Sequence, residues 1–126
     1  MELHEVDYTT MIPFGEDFNV ILHSPHDNLR YFALKDGKDI CAVCEVWYYK
    51  NRIKIDCLFV PEDKRGHGYA YDLLMHILFE NQGKYASAQA NDWSIKTFLK
   101  AGFKVSSTRK CKYWTAYFVH KEVSRA

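Results

Sequence analysis

The stretch VPEDKRGHGYAYDLL, residues 60 to 74, sets Lys64, Arg65 and His67 around Gly66 and Gly68, directly before a run with helical spacing. Such residues can hold an anion. A helix N-terminus presents unpaired backbone N–H groups and a partial positive charge. Glycines let a ligand reach that backbone with no Cβ in the way, and the cations add fixed charge. A pyrophosphate is the ligand such a cradle fits. On these residues alone a plain glycine turn with solvated cations stays open. Other phosphate loops fit less well. No G-K-[ST] follows, and no G-x-G-x-x-G stands on an early strand with an acidic residue about 20 positions later. What remains is R-G-x-G-x-A between a strand and a helix.

Two carboxylates form a second candidate group. If Lys50-Asn51 turns ICAVCEVWYY back along RIKIDCLFV, Tyr49 faces Arg52, Trp47 faces Lys54 and Glu45 faces Asp56. The opposed carboxylates are either solvated, or paired with Lys54 and Arg52, or share a proton. A shared proton raises one pKa towards neutrality, where it can deprotonate an ammonium directly or through water. Asp56 and Glu45 are therefore the candidate catalytic residues. Cys41 and Cys44 make a C-x-x-C, but on a strand residues three apart point to opposite faces. All four cysteines (Cys41, Cys44, Cys57, Cys111) read as small hydrophobes in or beside apolar runs. His23 and His26 have no cysteine or carboxylate cluster to complete a site, so they read as loop histidines and no metal is expected.

Positioning these groups takes one domain. The 126 residues suffice for a single core, and 48% hydrophobic and 16% aromatic content supports a packed one. Seventeen basic against sixteen acidic side chains give a net charge of +1, which argues against a dedicated nucleic-acid binder. No apolar run approaches the ~18 residues of a membrane span, and the polar start MELHEVDYTT is unlike a signal peptide. A cytoplasmic protein is the expectation. LHEVDYT reads as a first strand, and residues 10 to 30 as a short helix or two set in loops. YFAL leads to the Asp36-Gly37 hairpin turn, then come the two long strands. In the second of these, simple alternation puts Ile53, Ile55, Cys57 and Phe59 on one face, and Lys54, Asp56, Leu58 and Val60 on the other.

Ala70, Leu73, Leu74, Ile77 and Leu78 repeat with helical spacing, with Gly83 as the stop. YASAQA is a strand of small residues. Asn91-Asp92 caps a helix carrying Ile95, Phe98 and Leu99, with Gly102 past its end. FKVSSTRK and YWTAYFVHKEV close the chain as a strand pair. The predicted order is β, irregular, βββ, α, β, α, ββ: an α/β (α+β) domain with a mixed, mostly antiparallel sheet.

LFVPEDKRGHGYAYDLL resembles the acyl-CoA loop of the GNAT (Gcn5-related N-acetyltransferase) family, [QR]-x-x-G-x-[GA], with Arg65, Gly68 and Ala70 at its three specified positions. NDWSIKTFLKAGF resembles the family's second signature through Asn91, Ile95, Lys100, Gly102 and Phe103. The resemblance covers roughly residues 31 to 122. It implies helices on both faces of a sheet that splays at the acyl-CoA site. It further implies acetyl-pantetheine on the backbone of Leu58, Phe59 and Val60, pyrophosphate on Arg65, Gly66, His67, Gly68, Tyr69 and Ala70, and Asn91 on the cofactor's arm. Phe98, also placed beside the cofactor, stands where the family often has a proton-donating tyrosine. The glutamate many members carry before the asparagine is absent from YASAQA.

The reading is an acetyl-CoA-dependent N-acetyltransferase over residues 1 to 126, acting by direct amine attack. Its partners are acetyl-CoA and an amine acceptor, small molecule or protein, with a homodimer left open. The alternative is a catalytically weak acyl-CoA-binding or interaction module. A third reading, nucleic-acid binding through TRKCKYW, yields to a solvated edge strand protected by lysines.

Overall fold

The computed structural model describes residues 1–17 and 22–125. Strand β1 (Glu2–Val6) leads into helix α1 (Tyr8–Asp17) through Asp7, whose carboxylate accepts the Thr10 N–H at 3.0 Å. This is an N-cap, which satisfies a donor the helix leaves open. One helix thus occupies the irregular segment, and positions 18–21 lie outside the described residues. Strands β2 (Leu29–Asp36), β3 (Asp39–Tyr48) and β4 (Arg52–Phe59) follow as an antiparallel meander. Gly37 turns the first hairpin at a φ of 61°, a left-handed conformation glycine adopts at little cost.

Helix α2 (Tyr69–Phe79) crosses over to strand β5 (Tyr85–Ala90), which pairs in parallel with β4. The short α3 (Ile95–Lys100) precedes strands β6 (Lys104–Lys110) and β7 (Thr115–Glu122). The strands form one sheet in the order β1-β2-β3-β4-β5-β7-β6, antiparallel except at β4–β5. The α+β architecture and the element order are those read from the sequence. α2 stops at Phe79, short of Gly83, where Asn81 turns back to bond the Ile77 carbonyl at 2.7 Å.

Hydrophobic clusters fill both faces of the sheet. On one, Leu73, Leu74, Ile77 and Leu78 of α2 and Phe98 of α3 pack on Val46, Ile53, Ile55 and the alanines of β5. Those alanines bring the helices close to the strand. On the other, Met11 of α1 packs on Tyr31, Ala33 and Val43.

The face assignment along β4 is only half right. Glu45 pairs with Asp56, and the next recorded partners are Val43 and Phe59. Two steps on β3 therefore span three on β4, an inserted residue, and Cys57 sits there at φ 51°. A β-bulge of this kind breaks the period-2 alternation. Ile53 and Ile55 face α2 as expected. Past the bulge the faces exchange, so Leu58 and Val60 pack on the α2 side while Phe59 packs on the α1 side.

Candidate functional site

Two local devices open a cleft at the end of β4. Pairing between β4 and β5 is recorded from Arg52–Tyr85 to Ile55–Ala88 and goes no further, so the strand ends separate. The chain then leaves β4 through a 3₁₀ turn, Glu62–Lys64, and two left-handed glycines, Gly66 (φ 83°) and Gly68 (φ 78°). Gly68 is the N-cap of α2, and its carbonyl takes the first helical bond from Asp72 at 3.0 Å. With no side chain at the cap, the first-turn N–H groups are left for solvent or a ligand. A Cβ built on either glycine meets no atom within 4 Å, so both open onto empty space.

The resulting cleft has a volume of about 590 Å³. Of the residues expected at the cofactor, it brings together Leu58, Phe59, Val60, Arg65, Gly66, Gly68, Tyr69, Ala70 and Asn91. His67 and Phe98 are not in its lining. The exposed His67 ring lies 5.4 Å from that of Tyr69. Phe98 is 2% exposed and meets Phe103 edge-on at 5.1 Å, which puts it in the core rather than at the cleft surface.

Arg65 is anchored on both sides: its Nε donates to the Val60 carbonyl at 3.3 Å, and its guanidinium lies 4.4 Å from the Trp93 ring centre. Asn91 accepts the N–H groups of Trp93 and Ser94, each at 2.9 Å, and receives the Ser94 hydroxyl's acceptance of its own N–H at 3.1 Å. This reciprocal turn fixes the entry to α3. Lys96 and Lys100 on α3 join Lys64 and Arg65 in the lining, which among the described residues carries no carboxylate. The cleft lining is thus net positive, although Lys64 also pairs with Asp39 at 3.7 Å. Sequence reasoning missed the contributions of Trp93 and Lys96. The signal for Lys96 was its i, i+4 spacing to Lys100, whereas Trp93 carried none.

The candidate catalytic carboxylates lie on the α1 side of the sheet, in the expected register: Glu45 opposite Asp56 and Trp47 opposite Lys54. Asp56 pairs with Lys54 at 3.6 Å. Glu45 is fully buried, and its carboxylate binds His23 twice: Oε2 accepts the backbone N–H at 3.1 Å, and Oε1 lies 2.8 Å from the ring Nδ1. The donor atoms of His23, Glu45 and Cys57 lie within 4.8 Å of one another. The expectation that His23 has neither carboxylate nor cysteine beside it is therefore corrected. Glu45 is 22 residues away in sequence, and the sheet brings it there. Burial, and then the Glu45 carboxylate, push the Cys57 thiol well above the usual range. Burial first, and Glu45 second, also raise Tyr31.

The Acetyltransferase (GNAT) family model matches residues 1–103. No curated protein matches the chain in sequence. Among solved structures, the ribosomal-protein-S18-alanine N-acetyltransferase from Escherichia coli is 13% identical, covering 99% of this chain and 95% of its own, with a TM-score of 0.81. Escherichia coli ElaA is 12% identical with a TM-score of 0.74, covering 96% and 99%. The yncA protein of Salmonella typhimurium, solved with its cofactor acetyl-CoA, is 13% identical with a TM-score of 0.72, covering 100% and 95%. At such identities the likeness is one of fold. The family match spans most of the chain and includes both strands of the split and the glycine loop, and the chain belongs to the GNAT acetyltransferase family.

Proposed function

We propose that the chain is a single-domain, cytoplasmic N-acetyltransferase over residues 1 to 126, moving an acetyl group from acetyl-CoA to an amine. The observation that carries this reading is the electropositive cleft, which runs from the α2 N-terminus into the split between β4 and β5. Acetyl-CoA presents a pyrophosphate and a long thioester arm, and the cleft offers a place for each. The backbone from Arg65 to Ala70 holds the pyrophosphate, with Lys96 and Lys100 extending the positive lining. The arm lies along Leu58 to Val60 and past Asn91. Backbone N–H groups freed by the split polarise the thioester carbonyl. The amine nitrogen attacks that carbon, the C–N bond forms, the C–S bond breaks, and the thiolate departs. Asp56 serves the acceptor side, where its negative charge draws an ammonium, and Glu45 lies buried behind it.

The test is thiol release from acetyl-CoA with a panel of amines. Two structural neighbours, the S18-alanine N-acetyltransferase and a spermidine/spermine N-acetyltransferase from Vibrio cholerae, suggest members of the panel: a peptide with N-terminal alanine, and spermidine. Arg65→Ala weakens acetyl-CoA binding by about 1–3 kcal/mol, the range for a charge-assisted contact, as read by calorimetry. Asp56→Asn raises KM for a cationic amine with little change in acetyl-CoA affinity, as read by initial rates. An unchanged KM would remove Asp56 from the acceptor site.

A second reading, an acyl-CoA-binding module with weak turnover, draws on Phe98, which has no proton to give and sits in the core. Tight acetyl-CoA binding with no thiol release across the panel would favour it.

A further inference from the structure

We infer that His23, oriented by Glu45, is the general base that takes the proton of the acceptor ammonium. The inference rests on the N-acetyltransferase reading and assigns a catalytic group that neither sequence signature contains.

Glu45 is 0% exposed, and a carboxylate so buried persists only with strong partners. It has two from one residue, the His23 backbone N–H and the ring Nδ1. A carboxylate at Nδ1 holds the ring proton there and leaves Nε2 as an acceptor. The same division of labour orients the imidazole of a catalytic triad. His23 is fixed from two further sides. Its carbonyl accepts the Tyr31 hydroxyl at 2.8 Å, and its ring meets Trp47 edge-on at 5.3 Å. Exposure separates the roles: the His23 side chain is 51% exposed and can meet an incoming amine, while Glu45 cannot. Glu45 is thus the positioning residue.

The location suits the task. Cys57, whose sulfur lies in the same cluster, is the chain neighbour of Leu58, the first β4 residue of the cleft. The ionisable groups around His23 are Glu45 on β3, Lys54, Asp56 and Cys57 on β4, Tyr31 on β2 with Tyr8 of α1 beyond it, and His26 in its own loop. The Cys57 thiol, held up by burial and by Glu45, stays neutral and does not compete for the proton. In the step itself one ammonium proton passes to Nε2, and the freed lone pair attacks the thioester carbon. The second nitrogen proton passes to water as the C–S bond breaks. The thiolate is protonated from solvent, and His23 returns its proton to water.

His23→Asn keeps an N–H donor for Glu45 and removes the base. Its kcat/KM is expected to fall about 100-fold or more, the lower end of the range for a lost general base. Acetyl-CoA affinity should hold by calorimetry, the acidic limb of the pH–rate profile should vanish, and imidazole in the medium should restore part of the rate. Glu45→Gln should lower the rate and move that limb. Nitrogen NMR of the wild-type ring, on the basic side of that limb, should show the proton on Nδ1 and none on Nε2.

A His23→Asn enzyme within twofold of wild type overturns the proposal, as does the opposite tautomer. A loss of rate matched by a loss of acetyl-CoA affinity would make His23 structural and overturn it too. Zinc sulfate alone, bound tightly by wild type and not by Cys57→Ser, would turn the cluster into a metal centre and overturn it. A wild type that binds no acetyl-CoA, or releases no thiol with any amine, brings down the acetyltransferase reading and this proposal with it. A wild type that turns over beside an unimpaired His23→Asn removes the base alone.

Discussion

Gly68→Val abolishes acetyl-CoA binding, a loss of at least about 100-fold or roughly 2.7 kcal/mol, and the protein still folds. At φ 78° an L side chain is strained, by roughly 1–2 kcal/mol, which a domain stable by about 5–15 kcal/mol survives. The Cβ of the new side chain meets no atom within 4 Å outside the adjoining residues. It projects instead into the space where the first-turn N–H groups of α2 would receive a phosphate. Strain and obstruction can be told apart by a matched control. Gly37 is also left-handed, at φ 61°, and also faces open space, but it turns the β2–β3 hairpin and takes no part in the cleft. Gly37→Val should show a similar shift in denaturation midpoint with acetyl-CoA affinity intact. Calorimetry on the two variants decides, and equal binding by Gly68→Val would remove the pyrophosphate from this loop.

Phe98→Ala lowers the stability of the fold by about 3–5 kcal/mol, the usual effect of emptying a phenylalanine site in a core. Phe98 is 2% exposed and carries the packing of α3, a helix of six residues with little stability of its own. Its edge-on contact with Phe103 is lost with it. Phe98→Tyr adds a hydroxyl where the surroundings are apolar, and a buried hydroxyl with no partner costs about 1–3 kcal/mol. Urea unfolding of the two variants gives both numbers. A loss below about 1 kcal/mol in Phe98→Ala would mean the ring lies at the cleft after all. The usual tyrosine of the family therefore cannot be restored by changing one residue type, because the side chain points into the core.

The elements were legible in the sequence because each carries its own composition, period or punctuation: β-branched and aromatic residues in β3, alternation at the start of β4, i, i+3, i+4 spacing in α2, Asp36-Gly37 at the hairpin. The cation-and-glycine loop was legible for a related reason, since the residues that make it are neighbours in the chain. Glu45 opposite Asp56 followed from counting back from the Lys50-Asn51 turn. What was hidden depends on the third dimension. His23 lies in a loop with no periodicity, and only the folded sheet brings Glu45 and Cys57 to it. The direction of Phe98 is set by how α3 lies on β5, which residue type does not state. The exchange of faces at Cys57 was hidden as well, because alternation assumes an unbroken strand.

That inserted residue makes the geometry of β4 a matter of parity. Up to Asp56 odd-numbered side chains point to α2, and after Cys57 even-numbered ones do. Substituting Leu58 or Val60 alters one wall of the cleft. Straightening the bulge without shortening the strand instead resets the count, turning Phe59 towards α2 and rotating each following backbone group by half a turn. The acetyl arm and the acceptor face are thus written in the same arithmetic. The segment can drift in residue type, but its length and its bulge can change only together.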